Sequence, residues 1–155
     1  MTKVVIIDDH AVVRMGLRYV LSVKKNDFEF LGDWPGGVGA VDFIKKTNPD
    51  VVLLDIRMPD LDGLSVLRNL MAIRPEQKVI MLTTSDADND VYMALNLGAK
   101  GYLLKDRIYS WDLDDNADSK VDFIVCSAGV KRNYQEYLAS YRSNVNILEL
   151  EGGFK

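Results

Sequence analysis

Twice in the first 55 residues, four consecutive branched apolar residues run straight into aspartate. Val4-Val5-Ile6-Ile7 precedes Asp8-Asp9, and Val51-Val52-Leu53-Leu54 precedes Asp55. Runs this short, apolar at every position, suit strands buried on both faces rather than helices or half-exposed strands. After each of them the spacing changes. Val13, Leu17, Val20 and Leu21 recur at helical intervals, as do Leu64, Leu67, Leu70 and Met71. Strand runs alternating with helical segments imply βα units and therefore a parallel sheet. Further strands are expected at Phe28–Leu31, Val79–Leu82 and Gly101–Leu104, and further helices at Val38–Lys46 and Asp88–Leu97, the latter ended by Gly98 in a left-handed cap. The fold class expected is α/β, a doubly wound parallel five-stranded sheet.

A length of 155 residues allows one domain and a small surplus. Apolar residues at 48% and charged residues at 27% are ordinary globular values, so a disordered chain or a fibrous rod is excluded. The net charge of -4 argues against a nucleic-acid footprint, which shows as a basic stripe. No apolar run approaches the roughly eighteen residues of a membrane span, and the N-terminus lacks a signal-peptide pattern. A cytoplasmic protein without membrane contact is expected. The single cysteine, Cys126, has no internal disulfide partner, in keeping with a reducing compartment.

Open α/β sheets bind ligands beyond the carboxyl ends of their strands. That edge would gather Asp8 and Asp9 from the first strand, Asp55 from the third, Thr83 from the fourth and Lys105 from the fifth. Any one of these alone reads as a residue that turns the chain or caps a helix. Together they are chemically complementary. Mutually repelling carboxylates are relieved by a hard divalent cation such as Mg²⁺, while a lysine and a hydroxyl suit a phosphoryl group.

The segments Asp8-Asp9-His10, Val51–Asp55 with Arg57-Met58-Pro59-Asp60-Leu61-Asp62-Gly63, Ile80–Thr83 and Gly98–Asp106 closely resemble the receiver domain of two-component response regulators. They are most similar to the subfamily whose effector is a helix-turn-helix DNA-binding domain. The resemblance covers residues 1–106 and implies a flavodoxin-like receiver fold. It implies that Asp55 is the phosphoacceptor, with a sensor histidine kinase as donor and regulation of transcription as output. It further implies that Asp8, Asp9, Asp55 and the Arg57 main-chain carbonyl hold Mg²⁺, and that Thr83 and Lys105 bind the phosphoryl group. Tyr102 falls at the aromatic switch position. Such a chain is no conventional enzyme, though it catalyses its own phosphorylation and dephosphorylation. His10 reads as a helix-start residue bordering the pocket, not the phosphohistidine of the relay. Trp34-Pro35-Gly36-Gly37 departs from the family's usual small, acidic linker, so an irregular start to the second helix is expected.

Residues 107–155 fit the family less well. A receiver needs a fifth helix just after Lys105, yet Asp112, Asp114, Asp115 and Asp118 make residues 107–120 a poor one. A strand at Val121–Val125, an amphipathic helix at Val130–Tyr141 and a strand at Val145–Leu150 are expected instead, as an atypical βαβ-like tail completing or extending the same domain. No helix-turn-helix effector fits there, so direct nucleic-acid binding by this chain is not expected. A homodimer through the fourth helix, fifth strand and tail remains open. The stretch from Cys126 to Arg132 weakly resembles the anion loop of cysteine phosphatases and rhodanese-like domains, which allows two alternatives. One is a cysteine-dependent phosphatase or sulfurtransferase module, and the other an engineered or aberrant chimera without output. An inert, packed thiol is the simpler reading of Cys126.

Overall fold

A computed structural model of the chain describes residues 1–83, 88–105 and 124–125. The expected helix and strand at Val130–Tyr141 and Val145–Leu150, the weak segment 107–120, and Cys126 with Arg132 lie outside the described residues. The chain runs β1 (Thr2–Ile7), α1 (Ala11–Val23), β2 (Phe28–Trp34), α2 (Ala40–Thr47), β3 (Val51–Asp55), α3 (Gly63–Ile73), β4 (Lys78–Thr83), α4 (Asp88–Leu97), β5 (Gly101–Leu104) and β6 (Ile124–Val125). The sheet order is β2-β1-β3-β4-β5-β6. Strands β1 to β5 pair in parallel. β6 adds antiparallel to β5, with Tyr102 opposite Ile124.

The apolar runs are buried as their composition requires. Val4 and Ile6 join Val13, Leu17 and Leu21 of α1 and Leu53, Leu82 and Leu103 in one cluster. Alternate strand residues point to opposite faces, and Val5, Ile7, Val52, Leu54 and Met81 are buried as well, like the inward positions Ile44, Val66, Leu67 and Leu70 of α2 and α3. Each such side chain contributes about 1.5–3 kcal/mol on burial, which is what fixes strand ends and their acidic residues in place. Beside α1, an apolar hollow of about 200 Å³ is lined by Leu17, Leu21, Phe28, Leu53, Ile80 and Leu103.

β2 runs three residues beyond the expected Phe28–Leu31, to Trp34. The reason is a register shift: Val4 pairs with Phe30 but Val5 pairs with Gly32, so Leu31 is skipped and the alternation of the strand is broken. The linker after β2 is irregular, as expected. Gly39 adopts φ +81° ahead of α2, Trp34 Nε1 donates to the Val38 carbonyl at 2.8 Å, and Trp34 stacks on Phe43 with ring centroids 5.3 Å apart. Gly98 has φ +119°, the left-handed stop expected after α4.

Candidate functional site

Because β1, β3, β4 and β5 are parallel, their carboxyl ends share one edge. The chain leaves β1 toward β2 on one side and returns to β3 on the other, so the crevice opens beside β1 and β3. Asp8 and Asp9 follow β1 directly, Asp55 ends β3, Thr83 ends β4 and Lys105 follows β5. Asp8 is 0% exposed, Asp55 2%, Thr83 3% and Lys105 9%.

Lys105 Nζ lies 2.9 Å from Asp8 Oδ2 and 2.9 Å from Asp55 Oδ2. Burial drives the Asp55 carboxyl up to about 6 from the ordinary 3.8; the Lys105 ammonium opposes this and the charge of Asp8 adds to it. For Lys105, burial works against the charged form, but contacts with Asp8 and Asp55 more than offset it and hold the ammonium above its ordinary value. The pair therefore stays ionised near neutral pH.

Three carboxylate oxygens, Asp8 Oδ2, Asp9 Oδ1 and Asp55 Oδ2, are shut off from solvent and accept no well-directed hydrogen bond. The Lys105 ammonium faces two of them, at 2.9 Å each. Asp8, Asp9, His10 and Asp55 each bring one donor atom to within 4.8 Å of all the others. An excess of buried anionic oxygen at this spacing fits a hard divalent cation.

The surrounding chain holds the acids still. Arg14 Nη1 donates to the Asp8 carbonyl at 2.8 Å and Arg14 Nε pairs with Asp33 at 3.2 Å. The Asp8 N–H reaches the Trp34 carbonyl. The Arg57 N–H donates to Asp55 Oδ1 at 3.2 Å, while its guanidinium pairs with Asp90 of α4. The loop 56–63 then closes on itself, Gly63 N–H donating to the Ile56 carbonyl at 2.7 Å, and Asp62 caps α3 by accepting from Ser65 N–H at 2.9 Å.

Asp60, at the tip of that loop, accepts from the N–H groups of Gly37 and Val38 at 3.0 and 2.9 Å. These bonds hold its carboxyl down at about 2. Thr83 pairs in register with Leu104, and Tyr102 with Met81; both Thr83 and Tyr102 are buried.

Sequence reasoning brought Asp8, Asp9, Asp55, Thr83 and Lys105 to one edge, and there they lie. It missed Arg14, Asp33 and Asp60. Arg14 carried one usable signal, an arginine one turn into a helix that starts at the crevice; Asp33 and Asp60 carried none, since their partners are distant in sequence.

The chain matches the response regulator receiver domain family over residues 4–109. It is 40% identical over 104 residues to a nitrate/nitrite response regulator protein homolog of Haemophilus influenzae, covering 67% of this chain and 50% of that protein. It is 40% identical over 159 aligned positions to the transcriptional regulatory protein DegU of Brevibacillus brevis, covering 99% of this chain and 64% of that protein. The chain thus spans about half to under two thirds of the length of these relatives. Among solved structures it is similar to the signal receiver domain assigned to NarL of Mycobacterium tuberculosis, with TM-score 0.63, 36% identity, and coverage of 73% of this chain and 94% of that one. It is also similar to a DNA-binding response regulator of the LuxR family from Staphylococcus aureus, with TM-score 0.64, 32% identity, and coverage of 72% and 92%.

Proposed function

This chain belongs to the response regulator receiver domain family, and from that we propose that it is the phosphoacceptor of a two-component relay, with Asp55 taking the phosphoryl group. The observation that carries the reading is the bridge from Lys105 Nζ to both Asp8 and Asp55, each at 2.9 Å, on the floor of a buried acidic crevice.

The chemistry follows from those residues. Asp55, ionised near neutral pH, attacks phosphorus; a P–O bond forms and the P–N bond to the donor's imidazole breaks, the imidazole leaving with the kinase. A carboxylate is a weak nucleophile toward an anionic phosphoryl group, so catalysis is mostly positioning and charge neutralisation. Lys105 supplies one positive charge. Asp8, Asp9, Asp55 and the Arg57 main-chain carbonyl would hold Mg²⁺, which would supply the rest of the positive charge. The Thr83 hydroxyl donates to a phosphoryl oxygen, and its displacement opens room for Tyr102 to repack on the neighbouring strand. A buried hydroxyl at the end of β4 and a buried aromatic on the adjacent β5, biased by one new anion, form a two-state element of the kind a switch needs. The same site returns the phosphoryl group to water, so the chain sets its own signal lifetime.

Partners follow the same reading. A sensor histidine kinase is the donor, and the exposed apolar face of α1, Val12, Met15, Tyr19 and Val23, begins one turn from the crevice and offers it a surface. Residues 1–106 are the receiver, and 107–155 complete or extend the same domain; β6, added beside β5, supports this only as far as Val125. The output is regulation of transcription in the cytoplasm, with α4, β5 and the tail as the surface for a second copy. Among the described residues no helix is long and apolar enough to cross a membrane.

The test is phosphate-affinity electrophoresis after incubation with acetyl phosphate and Mg²⁺. A retarded band that disappears in Asp55→Asn is expected; no retarded band, or one that survives the substitution, sinks the reading.

A further inference from the structure

Resting on the receiver reading, we propose that His10 is itself a ligand, giving the acidic crevice one nitrogen donor and a preference among divalent cations that an all-oxygen site lacks. His10 occupies the N-cap of α1, yet its side chain makes no capping bond to the helix. It turns the other way. Nδ1 lies 3.3 Å from Asp8 Oδ1 and 3.2 Å from Asp9 Oδ1. The His10 main-chain N–H donates to Asp8 Oδ1 at 2.8 Å, which ties the backbone of the histidine to the carboxylate beside it.

Those separations are the ones a shared cation produces. With metal–ligand bonds of about 2.1 Å, adjacent ligands of an octahedron lie about 3.0 Å apart and opposite ones about 4.2 Å. The Nδ1–carboxylate distances match an adjacent edge, and the limit of 4.8 Å across Asp8, Asp9, His10 and Asp55 is within small side-chain adjustments of the diameter. The surplus of buried carboxylate oxygen is the second feature pointing to a cation.

With a cation bound, the Nδ1 lone pair goes to the metal and the ring proton sits on Nε2. Imidazole favours Co²⁺ and Ni²⁺ over Mg²⁺, which prefers oxygen and keeps its water. The site therefore binds Mg²⁺ through Asp8, Asp9 and Asp55 and gains the His10 bond with first-row transition metals, weakly with Mn²⁺ and more strongly with Co²⁺ and Ni²⁺.

His10 is the only histidine in the chain, so a histidine label reports on it alone. The experiment uses the full chain with any affinity tag removed, and Mn²⁺ as the paramagnetic probe. Loss of the free-ion electron paramagnetic resonance signal measures binding. Electron spin echo modulation then reads ¹⁴N at the bound ion, and this pattern should change to ¹⁵N in protein grown on ¹⁵N-histidine and vanish in His10→Ala. In the same variant, Ni²⁺ affinity by calorimetry should fall by about tenfold or more, with Mg²⁺ affinity within about twofold of the parent. Bound Mn²⁺ without nitrogen modulation, or unchanged Ni²⁺ affinity, overturns the role of His10 and leaves the receiver reading intact. A free-ion signal that never falls overturns both.

Discussion

Gly63 passes so close to Asp55 that a Cβ on the glycine would sit 1.9 Å from the Asp55 main-chain oxygen. No rotamer relieves that contact, because both atoms belong to the backbone. The turn from β3 into α3 therefore requires glycine here for space alone. Gly63→Ala should destabilise the domain by about 1–3 kcal/mol and slow phosphorylation by acetyl phosphate by moving the acceptor. Urea unfolding checks the first part, and an unchanged midpoint would refute it.

Lys105→Met keeps most of the length of the side chain and removes the charge that faces Asp8 and Asp55. Labelling by acetyl phosphate should drop by about 10²-fold or more. The Asp55 carboxyl should also titrate above the parent value of about 6, since Lys105 is what holds it down against burial. Carbon NMR of the aspartate carboxyls reads this shift; a titration at or below the parent value contradicts the assignment.

Asp55 titrates in the fold near 6, above its ordinary 3.8, so in the metal-free protein folding favours the protonated acid. That contribution is fully present below pH 3.8 and is lost as pH rises through 6. In chelator, Asp55→Asn should therefore gain on the parent by on the order of 1–3 kcal/mol between acid and neutral pH. A stability difference that stays flat with pH would count against it.

Asp60 runs in the opposite sense. Its folded value of about 2 lies below 3.8 because Gly37 and Val38 donate to the ionised carboxylate. The stabilisation is present above pH 3.8 and disappears as pH falls toward 2. Asp60→Ala should be less stable than the parent at neutral pH, with the gap closing in acid. Thermal melts across this range decide it, and a gap that widens in acid would falsify the role of Asp60 as the clasp between the loops.

Much of this was legible before any coordinates. Val4–Ile7 and Val51–Leu54 read as buried strands because apolarity at every position has few other solutions, and the aspartates that end them fell on one edge because parallel strands share one. The extent of β2 was not legible, since the skipped Leu31 breaks the alternation that identifies a strand. Nor was the anchoring of Asp8 by Arg14, or of the 37–38 turn by Asp60, because each joins residues brought together only by the finished sheet. His10 was read as a helix-start residue, and it is one; that its ring would turn away from the helix toward two carboxylates depends on a side-chain torsion no pattern encodes.

The antiparallel pairing of β6 on β5 also limits how copies of this protein can assemble. At Gly101 and Tyr102 the outward backbone groups of β5 already have partners in Val125 and Ile124, so that flank offers no template there for β-augmentation. Among the described residues the two margins of the sheet are β2 and β6, and β5 is an interior strand. A dimer contact made on β5 itself at these two residues must therefore be assembled from side chains rather than from continued backbone pairing, which makes it tunable by surface charge and hence compatible with a reversible signal.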